Sequence, residues 1–327
     1  MTIQPINRKS KIRKSKIKEL ISIIIPLYNK EQYIRKTLES VFSQTFQQFE
    51  IVIVDDGSTD GSLDVVRQID DPRIRIVCKE NGGVSSARNM GIGEARYPYL
   101  AFLDADDLWM PDHLEVIARL IQKYPQCALF GTSYYFQRPG QQPTLPMLRC
   151  PLPFDGYDGV LSNYYDVASG IDMPMQTSTF VVSKAVAQQI GGFFLGVQGG
   201  EDLLFMAQVY ALGDIAYSRR PTSTYLLFYE GKSDRSFEKT EPLTPSFDAL
   251  LRTAAHRPGV RRYVASWHKR RVTTALYGHH YRAALREFLR ALRLAPLDRK
   301  LYTSTLMTLV SLSTGIDLYT LNQKIRK

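Results

Sequence analysis

Four short apolar runs alternate with stretches of helical periodicity in the first third of the chain, and few folds accommodate that alternation. Ile21 to Pro26, Phe49 to Val54, Arg73 to Cys78 and Tyr97 to Leu103 read as strands. Glu31 to Phe42, Ser62 to Ile69 and Ser85 to Ala95 read as the helices between them. The strand runs are β-branched and nearly continuous in apolar character, as expected of strands covered on both faces. Alternation of this kind implies an α/β fold with a mostly parallel sheet sandwiched by helices. Ligands of such sheets bind beyond the carboxyl ends of the strands. The polar clusters of this sequence fall at those ends.

The densest cluster is Asp104-Ala105-Asp106-Asp107, directly after the fourth run. Carboxylates that close repel unless a cation holds them, and oxygen-only ligands suit Mg²⁺ or Mn²⁺ completed by water and a substrate phosphate. An acidic turn capping the helix that starts near Pro111 is the alternative. Asp55-Asp56-Gly57-Ser58 ends the second run, where a carboxylate accepts from a base N–H or a ribose hydroxyl. Pro26-Leu27-Tyr28-Asn29 ends the first and offers an aromatic face for a base. Asn81-Gly82-Gly83 precedes a helix that carries Arg88 one turn in. Turn chemistry and a surface arginine are the plainer readings of these clusters.

The rest of the chain is less regular. Phe130 to about Tyr229 is rich in prolines and aromatics and reads as the second half of a site. Val260 to Tyr277 and Tyr281 to Leu294 read as two helices joined by Gly278. In the second, Tyr281, Leu285, Phe288, Leu289 and Leu292 fall on one face, and Arg282, Arg286, Arg290 and Arg293 on another. The expected organisation is a basic arm over 1–19, a main domain over 20–241 and an α-helical extension over 242–327.

Composition narrows the function class. Hydrophobic residues make up 44% and charged residues 23% of the 327, as in an ordinary globular protein. No run reaches the roughly 20 apolar residues that span a bilayer, and no signal peptide is expected. Three widely spaced cysteines suit a reducing compartment and no metal cluster. The net charge of +10 is partly local to Arg8–Lys18. Such an arm suits an anionic lipid surface, a nucleic acid or a plain solvated tail, and no motif for specific nucleic-acid binding accompanies it.

Five ordered motifs carry a resemblance: "SIIIPLYNKEQYIRKTLESVFSQTF", "EIVIVDDGSTDGS", "NGGVSSARNMG", "YLAFLDADDLWMPDHL" and "GGEDLLFMAQ". Together they resemble the family 2 inverting glycosyltransferases over about Ile21 to Tyr229. The resemblance implies the GT-A fold, Rossmann-like, here with a C-terminal helical extension. It implies a sugar moved from a nucleotide-diphosphate donor, with UDP-sugar favoured, to a saccharide or lipid-linked hydroxyl acceptor, in cell-surface polysaccharide or glycolipid synthesis. On it, Pro26, Tyr28, Asn29, Asp55 and Asp56 line the base and ribose site, and Arg88 positions the nucleotide. Asp104 meets the ribose or the waters of the metal, and Asp106 ligates Mn²⁺ or Mg²⁺. Glu201 and Asp202 form the acidic pair that supplies the catalytic base, Asp202 being the chosen member. The expected location is cytoplasmic, with peripheral contact at the inner membrane face.

One departure stands out. Family members often carry an Arg with a nearby His in a closing loop after the acidic pair. Here Arg219-Arg220 precede Pro221 and no His follows before His256, so Lys232 and Arg235 are the substitutes. Two rivals are weighed. A sugar nucleotidyltransferase would need a glycine- and arginine-rich phosphate loop after the first strand, where Pro26-Leu27-Tyr28-Asn29 stands instead. A non-catalytic sugar-nucleotide-binding or scaffold protein would not need Asp104, Asp106 and Asp202.

Overall fold

The computed structural model describes residues 20–226 and 237–314. The basic arm and the Lys232–Arg235 stretch lie outside them. Strands β1 (Ile21–Leu27), β2 (Phe49–Asp55), β3 (Ile74–Cys78) and β4 (Tyr99–Phe102) alternate with helices α1 (Ile34–Phe42), α2 (Ser62–Arg67) and α3 (Val84–Glu94). Then come β5 (Leu108–Trp109), α4 (His113–Lys123), β6 (Leu129–Gln137), β7 (Asp158–Val160), α5 (Tyr164–Ala168), β8 (Phe180–Ser183) and α6 (Lys184–Gln189). Helix α7 (Glu201–Leu212) and strand β9 (Ile215–Leu226) close the sheet. The extension holds α8 (Phe237–Thr240), α9 (Thr244–Thr253), α10 (Val260–Tyr277), α11 (Tyr281–Leu294) and α12 (Arg299–Thr314).

The sheet runs β3-β2-β1-β4-β8-β6-β9-β5, with β7 also on β9. The pairs β1–β2, β2–β3, β1–β4 and β6–β9 are parallel. Strand β8 enters antiparallel between β4 and β6, and β5 and β7 pair antiparallel with β9. The sheet is therefore mixed, its Rossmann-like half lying at the β3 edge.

Strand β1 shows why the apolar run becomes a central strand. Its side chains alternate between two cores: Ile24 packs in one with Phe102, Phe205 and Trp267, while Ile23 and Ile25 pack in the other with Leu38 and Ile117. Both faces are covered by helices, so alternation of apolar and polar residues would have failed here. Helix α3 approaches closely at Gly91, where a Cβ would stand 2.3 Å from Ile24 Cγ2. Leu243, Phe247, Val264 and Trp267 from the extension belong to the same cluster as Ile24. The extension thus packs on the face of the sheet that carries α7.

Helix α11 is turned differently from what its periodicity suggests. Ala284, Glu287 and Ala291 are buried against the body, while Leu285 and Leu289 stand 59% and 52% exposed. Small alanines let α11 sit close on α10, and the buried Glu287 is held by His268 Nδ1 at 2.6 Å and by Arg271. Sequence periodicity cannot see those partners on α10.

Candidate functional site

The clusters at the ends of β1, β2 and β4 come together with the start of α7. Their geometry begins with Asp56. Its Oδ1 accepts from Lys79 Nζ at 2.6 Å and from Gly82 N at 3.0 Å, and its Oδ2 accepts from Gly83 N at 2.8 Å. The buried carboxylate thus fastens the Asn81-Gly82-Gly83 turn beneath α3. A carboxylate has about four lone-pair positions, so Oδ2 keeps one. Gly83 enters α3 at φ 85, the left-handed region that glycine adopts without strain. Asp55 is buried beside it, with Ser58 N at 3.3 Å from Oδ1.

At the end of β1, Pro26 pairs with Val54 and the Tyr28 ring is 45% exposed. Asn29 takes φ 51, an uncommon conformation for a residue with a side chain. It is held there by Ser58 Oγ, which accepts from its N–H at 3.2 Å, and by its own Oδ1, which accepts from Thr59 N at 2.8 Å. The strand ends are therefore locked together, leaving Tyr28 presented over them.

The acidic cluster divides into two kinds of carboxylate. Asp104 and Asp106 are half-buried. Asp104 Oδ1 accepts from Arg88 at 2.7 Å, and Asp106 Oδ2 from Lys30 Nζ at 2.5 Å. Asp107 is buried and turned inward: it accepts from Ser178 Oγ at 2.6 Å and from Leu226 N at 3.3 Å. Burial raises its pKa well above the usual carboxylate range, helped by the negative charges of Asp104 and Asp106. Asp107 is an anchor for the chain, and only Asp104 and Asp106 are open to a ligand. Among the described residues no group of three His, Cys, Asp or Glu side chains could enclose a metal. Asp104 and Asp106, oxygen donors now paired with Arg88 and Lys30, suit by their chemistry a hard cation that takes one or two carboxylates and completes its shell with water and phosphate. They do not suit a cation caged by protein alone.

Arg88 is the hub. Its guanidinium is buried and pairs with Asp104 on one side and with Glu201 Oε1, at 3.3 Å, on the other. Burial alone would lower its pKa, but Asp104 and Glu201 more than offset that and hold it charged. The next residue, Asn89, clamps Phe193 through both backbone groups, at 2.7 Å each. Helix α3 thereby fixes the loop that leads to α7.

The acidic pair splits in the same way as the aspartate cluster. Glu201 is buried, tied to Arg88 and accepting from Gly199 N at 3.1 Å. Burial and the neighbouring Asp202 raise its pKa, with Arg88 opposing. Asp202 is half-buried, and its Oδ1 accepts from Leu203 N at 2.8 Å. Its ion-pair partners are absent among the described residues. Trp267 of α10 lies against Gly200, whose left-handed backbone leaves no room for a Cβ, and Tyr263 Oη donates to Leu203 O at 2.9 Å. The extension therefore buttresses the start of α7.

Pro26, Tyr28, Asn29, Asp55, Asp56, Arg88, Asp104, Asp106, Glu201 and Asp202 thus gather at one end of the sheet. Sequence reading missed Lys30, Lys79 and Ser178. Lys30 follows Tyr28-Asn29 directly, and that adjacency was the available signal. Ser178 is brought in by β8, which carries no motif.

The description of glycosyl transferase family 2 matches residues 22–174. Those residues form a family 2 glycosyltransferase domain. A putative teichuronic acid biosynthesis glycosyltransferase of Bacillus subtilis, TuaG, is 38% identical over 149 residues, which is 45% of this chain and 58% of TuaG. Glycosyltransferase GlyA of Streptococcus pneumoniae is 38% identical over 122 residues, 37% of this chain and 18% of GlyA. The matched stretch is thus little more than half of one relative and a fifth or less of the other. Among solved structures, S. aureus TarS 1–349 in complex with UDP-GlcNAc has a TM-score of 0.70 at 19% identity, covering 90% of this chain and 92% of that one. The mannosyltransferase PcManGT of Pyrobaculum calidifontis, in complex with GDP-Man and Mn²⁺, has a TM-score of 0.55 at 19% identity, covering 92% and 87%. These likenesses establish the GT-A fold with the helical extension.

Proposed function

We propose that this family 2 domain is an inverting, metal-dependent glycosyltransferase moving a sugar from a UDP-sugar to a hydroxyl acceptor. The observation that carries the reading is the Arg88 clamp. It engages Glu201 and Asp104 together and leaves Asp202 as the one carboxylate of the pair without a cation.

The base stacks on Tyr28, above Pro26 and Asn29. A ring N–H of uracil donates to the remaining lone pair of Asp56 Oδ2, and the ribose lies beside Asp55 and Asp104. Asp106, with Asp104 beside it, would hold Mn²⁺ or Mg²⁺. That cation, when bound, supplies Lewis-acid stabilisation of the charge growing on the departing diphosphate. Asp202 takes the proton of the acceptor hydroxyl as its oxygen forms a bond to the anomeric carbon. The bond from that carbon to the diphosphate oxygen breaks on the opposite face. One displacement inverts the anomeric centre with no covalent enzyme intermediate, and Asp202 returns its proton to water. Glu201, held by Arg88, is a positioning residue.

The fold that TarS shares in complex with UDP-GlcNAc, and the biosynthetic role named for TuaG, support a UDP-sugar donor and a polysaccharide or glycolipid product. The non-catalytic alternative gains no support from the site, since Asp104, Asp106 and Asp202 are all in place. Competition of UDP, TDP, GDP and ADP for the site tests the donor. UDP is expected to bind tightest, and a purine diphosphate in its place would overturn the reading.

A cytoplasmic location with peripheral membrane contact is part of the same proposal. No described helix is long and apolar enough to cross a membrane. Leu285 and Leu289 form an exposed groove with Arg282, Arg286, Arg290 and Arg293. Apolar residues flanked by arginines on one helix face suit the surface of an anionic bilayer.

A further inference from the structure

A cavity away from the carboxylate site lies between the Arg149–Pro151 segment, α5, α10 and the turn joining α11 to α12. Its volume is about 1090 Å³, ample for several sugar rings. Its walls carry Arg149, Arg257, Arg261, Arg262, Lys269 and Lys300 against only two carboxylates, Asp166 and Asp298. Those two are already engaged, Asp166 by Arg262 at 2.8 Å and Asp298 by Lys269 at 2.6 Å. Arg257 pairs with Asp214, which is not among the lining residues, and its buried Nε has no hydrogen-bond acceptor. Arg149 and Arg261 are exposed and make no ion pair with a described residue. Six cationic side chains against two engaged carboxylates leave the cavity net positive.

Apolar residues give the cavity a second character. Leu251, Val260, Leu294 and Pro296 share its walls with the cations. A sugar ring has an apolar face, so a saccharide that also carries anionic groups suits such mixed walls. Ser266 lines both this cavity and the narrow cleft formed with Leu203, Tyr263 and Trp267. That cleft has a volume of only about 10 Å³, room for a single water and not for a sugar.

We propose that this cavity binds anionic groups, carboxylates or phosphodiesters, of the acceptor glycan. That this ligand is the acceptor rests on the transferase reading; the chemistry of the cavity's ligand does not.

The test uses the full chain and fluorescence anisotropy with four labelled probes. They are a hyaluronan hexasaccharide for carboxylates, a glycerol-phosphate oligomer for phosphodiesters, neutral maltohexaose, and an oligothymidylate. The variant is R149E/R261E, both sites being exposed and outside the donor site. At least one anionic probe is expected to bind the wild type, more weakly as salt rises. The variant is expected to lose about tenfold or more in that affinity, on the scale of two lost charge-assisted contacts. UDP binding and thermal midpoint are expected to be unchanged. Absence of binding by both anionic saccharides, equal affinity in the variant, or maltohexaose binding as tightly would overturn the proposal. Oligothymidylate binding more tightly than either saccharide would also overturn it, marking a nucleic-acid surface. Hydrolysis of UDP-sugar, measured on the same samples, reports separately on the transferase reading.

Discussion

Arg88→Met removes the hub of the site while keeping much of its bulk, and its cost is worked from the two carboxylates it serves. Asp104 has a side chain 30% exposed, so water screens it once Arg88 is gone, and its share is within about 1 kcal/mol. Glu201 is only 9% exposed and would be left as a buried charge without its cation. Breaking a buried pair by removing one partner costs roughly 3–5 kcal/mol. Glu201 limits that cost by taking up a proton, its pKa being already raised by burial. We therefore expect a loss of about 3 kcal/mol at pH 8, smaller at pH 5.5 where Glu201 is neutralised more readily. Urea denaturation at the two pH values measures it. Glu201→Gln in the Arg88→Met background is expected to recover most of the loss, because a neutral amide tolerates the site. The same double variant is expected to stay inactive. A single-variant loss below about 1 kcal/mol, or a double variant with the two losses simply added, would refute the reasoning.

Three further outcomes are expected. Asp106→Asn takes a charge from the proposed cation shell, so turnover is expected to fall at least about a hundredfold, and wild-type turnover that survives thorough chelation would contradict the metal. His113 is fully buried with Nδ1 2.7 Å from Thr222 Oγ1, and burial lowers its pKa to about 3. Its folded form favours the neutral ring, so the stability it confers is present above the unfolded value near 6.5 and lost as pH falls below it, by up to about 1.4 kcal/mol per unit. His113→Asn is expected to flatten that acid limb in urea titrations between pH 7 and 4.5; an unchanged slope would place the acid sensitivity elsewhere. Leu285→Ser with Leu289→Ser is expected to weaken salt-sensitive co-sedimentation with anionic vesicles, and equal pelleting of both proteins would remove α11 from the membrane contact.

How much was legible depended on whether the information was local. Strand β1 and helices α10 and α11 could be read because continuous or periodic apolar residues define them within one window. Strand β5, Leu108–Trp109, has two residues and no period to detect. Helix α12, Arg299–Thr314, was not read because serine and threonine interrupt its apolar stripe. The antiparallel entry of β8 between β4 and β6 is a long-range pairing with no sequence mark. The acidic clusters were legible as carboxylates, but not which member faces outward. Asp107 is turned in by Ser178 and Leu226, and Glu201 by Arg88, which lie 71, 119 and 113 residues away. That Asp56 fastens the glycine turn, besides its proposed place at the nucleotide, was likewise invisible before Gly82 and Gly83 were seen to donate to it. The leucine face of α11 pointed outward because Glu287 found His268 and Arg271 on α10.

The central claim is that Asp202 is the base of a transferase using a UDP-sugar. UDP release from a panel of UDP-sugars, compared with calorimetric UDP binding, tests it in wild type, Asp202→Asn and Glu201→Gln. Wild type is expected to turn over at least one UDP-sugar, and Asp202→Asn to bind UDP within about threefold of wild type while losing about a thousandfold or more in turnover. Glu201→Gln is expected to retain partial turnover. Normal turnover by Asp202→Asn, with Glu201→Gln inactive, would contradict the account.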